Sequence, residues 1–300
     1  MTEKFQGYLY LSLAMVMVGS TVIASKLIAS GLPPFVATAL RFAVAFPLFL
    51  ALMRLTQTSW PKLERREWLI LLLQAGAGSV GYTTLLIAGL RYSSAADAGV
   101  VIGTLPVVSA AIAILLLGER PSRSTLIAIG LAAAGVLTIV LRPDDGAHHS
   151  ALGIALVFGA VVCEGLFILI NKRIRTPIAP LALSTIMAGM GVGVAIVPAL
   201  FEAPSMQVVA MQSLAAVLYY ALVPTIAGFI LWYAGSARVN GTEAAVFTAL
   251  APVSAVLLAF ALLGEPVSIN QLTGIGCVLV AVLSLAMPHL RSKTTGQTQS

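Results

Sequence analysis

The chain has 300 residues, of which 59% are hydrophobic and 9% charged, with a formal net charge of +6. Soluble domains carry roughly 45–50% apolar and about 25% charged residues, so this chain cannot cover itself in water, and its main solvent is lipid. In lipid only helices and closed barrels satisfy the backbone, and apolar runs of about 20 residues fit helices rather than strands of about ten.

Ten spans are expected, near 6–26, 34–53, 68–90, 95–117, 123–141, 151–171, 181–201, 212–234, 242–263 and 269–288. The connections are short, and SGLPP, RPDDGAHHS and NGT read as turns. With the N-terminus in the cytoplasm, thirteen Lys and Arg fall on that side: Lys4, Arg54, Lys62, Arg65, Arg66, Arg120, Arg123, Lys172, Arg173, Arg175, Arg238, Arg291 and Lys293. The other side holds three, Lys26, Arg91 and Arg142, which predicts both termini in the cytoplasm. The basic excess is therefore a topology signal, and no nucleic-acid partner is expected. Trp60 and Trp68 flank the second loop, at headgroup level.

Two ionisable groups fall inside spans. Arg41 lies about seven residues into span two, and Glu164 about seven residues from the inner end of span six. Charge at such depth costs several kcal/mol unless it meets water or a partner, so each is a candidate for the transport path. Arg41 could instead snorkel, and Glu164 could pair with Lys172. Together they suit a zwitterion, guanidinium for carboxylate and carboxylate for ammonium. Glu164 alone would suit proton coupling.

Polar and aromatic candidates for selectivity are Gln74, Ser79, Tyr82 and Thr83 in span three, beside Gly76, Gly78 and Gly81. Span eight offers Tyr219, Tyr220, Thr225 and Trp232, and spans four and nine add Thr104, Ser109, Thr248 and Ser254. Hydroxyls in such helices often bond their own backbone. Pro106 and Pro252, near the middle of spans four and nine, each remove a backbone hydrogen bond. Their duplicated position points to cavity shaping or gating, with a static packing kink as the alternative.

Several features read as structural. Asp97 and Glu243 start spans four and nine, where an acid suits the helix dipole. Gly189 and Gly193 on span seven suit close packing inside the monomer or a dimer face equally. Cys163 and Cys277 sit in apolar spans as packing residues, and His148-His149 makes a poor metal site, so neither metal nor cofactor is expected.

The chain is written twice. Pro106 and Pro252 stand 146 residues apart, as do Glu119 and Glu265, Gly7 and Gly153, Gly19 and Gly165, Lys26 and Lys172, and Pro34 and Pro180. One register thus runs almost the whole length, dividing it into residues 1–145, residues 146–290 and a polar cytoplasmic tail at 291–300. Each unit holds five spans, an odd number, so the second must enter the membrane from the opposite face. The expected architecture is all-α and integral to the membrane: ten helices in two inverted repeats around a central cavity. Many secondary transporters are built so.

A mid-helix proline, an apolar run and a terminal Gly-Glu in each repeat (LLLGER, ALLGEP) make the chain resemble the EamA-type drug/metabolite transporter superfamily over residues 7 to about 288. Its general sequence is most similar to bacterial YddG-type exporters of aromatic and other amino acids. That resemblance implies export of small metabolites through a central cavity, without ATP. A bacterial inner-membrane location, a monomer and no enzymatic activity are expected, since only His148-His149 comes near the cluster an enzyme would need. The alternative is a multidrug or organic-cation antiporter using Glu164 as an exchangeable carboxylate.

Overall fold

The computed structural model describes residues 3–117, 123, 126–127, 130–131, 133–135, 150–171, 174, 176–202, 210–236, 238, 247, 250–277 and 279–281. Among them there is helix and no strand. In chain order the helices are α1 (Glu3–Ala29), α2 (Pro34–Leu55), α3 (Arg65–Gln74), α4 (Tyr82–Gly89), α5 (Ala95–Ile102) and α6 (Leu105–Leu117). They continue with α7 (Ala151–Asn171), α8 (Pro180–Glu202), α9 (Met211–Tyr220), α10 (Gly228–Ser236) and α11 (Leu250–Leu263). Among the described residues, five apolar stretches are long enough to cross a membrane: Phe5–Ala29, Pro34–Leu55, Arg65–Gly89, Pro180–Glu202 and Met211–Trp232. Shorter apolar helices include Ala151–Phe167 and Leu250–Leu263.

Local chemistry sets the helix starts. Pro34 opens α2 after an extended Pro33, where a missing N–H costs nothing. Glu64 and Glu67 form a capping box at α3. The Ser94 hydroxyl accepts the Asp97 backbone N–H at 3.0 Å and so caps α5.

Span four is not the continuous helix expected for 95–117. It breaks at Gly103–Thr104, and Pro106 is the second residue of α6. In an unbroken helix the Pro106 ring would clash with the Ile102 carbonyl, whereas in a helix restarted at Leu105, Pro106 stands in the first turn, where its missing N–H costs nothing. Pro252 is buried in α11.

Spans three and eight share a departure from α-helix. Ala75–Gly81 joins α3 to α4 as a π-helical segment, and Ala221–Ala227 joins α9 to α10 in the same way. Each residue of the second stands 146 after its mate in the first. The Tyr82 backbone N–H bonds the Ala77 carbonyl, as that of Gly228 bonds Val223, both five residues back. Such wide turns are rare and concentrate at functional sites.

The repeats interlock. α1 packs against α9, α10 and α11 of the second unit, while α7 packs against α4, α5, α6 and the first π segment. α2 lies along α8, its own counterpart. A Cβ on Gly89 would lie 2.9 Å from the Gly153 carbonyl, and one on Gly235 would lie 3.1 Å from that of Gly7. These two close approaches are 146-residue mates, at opposite ends of the bundle. Gly189 and Gly191 receive the rings of Phe46 and Phe42, so this small surface serves packing within the chain, and nothing lies within 4 Å of a Cβ on Gly193.

Candidate substrate-binding site

The site grows from Arg41. Seven residues into α2, its side chain is only 7% exposed. The guanidinium carbon lies 4.1 Å from the centre of the Phe42 ring and 4.4 Å from that of Tyr220. Stacking on two aromatic faces offsets part of the cost of burying the charge, by about 2 kcal/mol for a desolvated contact. Nη2 donates to the Ser79 carbonyl at 3.4 Å, and that carbonyl also accepts the Thr83 hydroxyl at 2.9 Å. Nε is buried and has no hydrogen-bond partner. Tyr220 also hydrogen-bonds the guanidinium, so Nε is the donor left for a ligand, and a guanidinium donor suits a carboxylate.

Glu164, Tyr82 and Tyr220 all lie within electrostatic reach of Arg41. The Tyr82 hydroxyl meets Thr21 of α1. Side chains from α1, α2, α4, α7 and α9 therefore converge, and both π segments adjoin them through Ser79 and Tyr220. Arg41 and Glu164 have no charged mates in the other repeat: positions 187 and 18 hold Met187 and Val18. The scaffold is duplicated and the charges are not.

Gln74 is wholly buried, donates Nε2 to the Phe167 carbonyl at 3.4 Å and leaves Oε1 unpaired. The remaining candidates lie elsewhere or are engaged locally. Tyr219 turns toward α1, with 2.7 Å between its hydroxyl and that of Ser20. The Thr225 hydroxyl bonds the Tyr220 carbonyl at 2.9 Å. Trp232 packs with Ala14, Met15 and Ala251, apart from Arg41. Thr248 lies outside the described residues, as do Glu119, Lys172, Glu243 and His148-His149.

Sequence reasoning missed Phe42, whose apolar ring gave no sign of lying under a charge. Gly191 holds it there: an added Cβ would lie 2.7 Å from the Phe42 ring. Gly191→Ala is expected to raise the half-saturation concentration in exchange assays roughly threefold to tenfold, the fold-change for about 1 kcal/mol of cation–π contact. An unchanged value would detach Phe42 from the site.

Comparison with known proteins decides the family. The model of the EamA-like transporter family matches twice, over residues 5–141 and 151–287. The chain belongs to the EamA-like transporter family. Like other EamA proteins it is a multi-pass membrane transporter and not an enzyme. It is 35% identical over 282 residues to a Bacillus subtilis protein described as "Uncharacterized transporter YetK", covering 92% of this chain and 86% of the relative. A Salmonella typhimurium relative described as "Probable amino-acid metabolite efflux pump" is 27% identical over 288 residues, covering 91% of each. A crystal structure sharing 19% identity superposes with a TM-score of 0.66, covering 97% of this EamA chain and 98% of that one, and so shares its fold.

Proposed function

We propose that this EamA-family transporter exports neutral amino acids, aromatic ones included, across the bacterial inner membrane by alternating access. The carrying observation is the buried Arg41, stacked between two rings with an unpaired Nε and with Glu164 in electrostatic reach. Its edge takes the substrate carboxylate and Glu164 takes the ammonium. Tyr82 and Tyr220 bound the space left for the substrate side chain. Ten spans, in units 1–145 and 146–290 with both termini cytoplasmic, supply two inequivalent packings around that single site. The names carried by relatives support amino acids as cargo.

Counterflow in proteoliposomes tests this reading. Vesicles loaded with unlabelled phenylalanine should accumulate labelled phenylalanine, and Glu164→Gln should weaken that exchange. Exchange of an organic cation alone, abolished by Glu164→Gln, would replace the amino-acid reading with the antiporter.

A further inference from the structure

One end of the bundle, where α1 finishes at Lys26 and Ala29, is closely packed. Every residue of α5 is buried, in a cluster with Val22 of α1, Ile154 and Val157 of α7, and Ala255 and Val256 of α11. A polar layer lies over this apolar plug. Past the end of α11, Gly264 takes a φ of +67°, a turn that glycine makes without strain. The next residue, Glu265, reaches the N-terminus of α5. Its two carboxylate oxygens accept the backbone N–H groups of Ala95 and Ala96 at 3.2 and 3.1 Å.

Two further groups tie the same place together. Lys26 Nζ donates to the Leu90 and Ser93 carbonyls at 2.9 and 2.6 Å and lies within electrostatic reach of Glu265 and Asp97. Gln271 donates to the buried Asp97 carboxylate at 2.8 Å. The Gly-Glu pair is thus no idle helix terminus. It joins the second repeat to the first where the plug must part if this end is to open.

We propose that Glu265 is a gate latch, engaged with α5 while the Lys26 end is closed and released when it opens. A carboxylate on free helix N–H groups is strong enough to hold and is replaced by water on release. The inference rests on alternating access at the proposed site, though not on which substrate binds there.

The test is accessibility of a cysteine inside the plug. In a Cys163→Ala, Cys277→Ala background, Ala98→Cys replaces a residue 1% exposed. It is labelled with a membrane-impermeant maleimide in spheroplasts and in inverted vesicles. Glu265→Gln should raise labelling from the Lys26 side about tenfold, the scale of one lost charge-assisted hydrogen bond. Labelling from the opposite side should fall. Labelling within about twofold of the parent on the Lys26 side, in protein that still elutes as the parent does, would overturn the latch, as would a rise from both sides. A mere structural cap would lower thermal stability without these opposed shifts. Phenylalanine counterflow run alongside separates the two readings, because its absence in the parent sinks the substrate assignment and leaves the labelling result standing.

Discussion

Arg41→Ala is expected to abolish phenylalanine counterflow while the protein remains folded and inserted. The argument is one of unpaired charge. A bound carboxylate enters a buried site, and with Arg41 gone it would lose its partner there. Truncating one member of a buried, hydrogen-bonded charge pair costs about 2–5 kcal/mol, or roughly 30-fold to several thousand-fold in affinity. The empty site suffers far less, because removing the guanidinium also removes a buried charge. Arg41→Lys separates charge from shape. An ammonium keeps the charge but lacks the planar fork and stacks less well between Phe42 and Tyr220, so exchange should fall by about tenfold or more. Phenylalanine exchange by Arg41→Ala at the parent's rate and half-saturation would remove Arg41 from the path.

The second large effect concerns two glycines that the repeat makes equivalent and the structure does not. A Cβ on Gly19 would fall on the Ser254 hydroxyl and lie 2.7 Å from the Ala251 carbonyl and 2.9 Å from the Ala255 nitrogen. Two of these atoms are backbone, so α1 and α11 would have to separate. A Cβ on Gly165 meets Ile112 Cδ1 at 3.0 Å and the Ser109 hydroxyl at 3.3 Å, side-chain atoms that can yield. Gly19→Ala should therefore lower thermal stability by about 1–3 kcal/mol, the usual cost of overpacking. Gly165→Ala should be neutral or stabilising, since alanine favours helix by about 1 kcal/mol. Thermal unfolding of both variants in one detergent checks the contrast. Equal losses would mean that the two contacts are equally tight.

Much of the fold could be read from the sequence because duplication leaves a register that one chain can reveal. Paired prolines, lysines and Gly-Glu doublets carry it, in agreement with the two successive family matches over residues 5–141 and 151–287. Arg41 and Glu164 stood out because charge in an apolar span is costly. The rest was hidden for specific reasons. Nearly every span position is apolar, so periodicity could not separate Tyr220, which stacks on Arg41, from Tyr219, which turns toward α1. The capping roles of Glu202 and Glu265 depend on helix ends far away in sequence: Glu202 accepts the Phe35 N–H at 2.7 Å. The π segments carry no signature that their small and apolar residues, AGAGSVG and ALVPTIA, would betray.

Those two segments also constrain the repeat. A π turn holds one residue more than the α-helical turn it replaces. An extra residue in one half alone would change the spacing between mates from there onward. The spacing is 146 before the segments, at Gly19 and Gly165, and again 146 after them, at Pro106 and Pro252. Neither half has therefore gained or lost a residue relative to the other across this stretch, and the widened turn belongs to the duplicated scaffold itself. The charges at positions 41 and 164 break that equivalence, since each stands in one half alone.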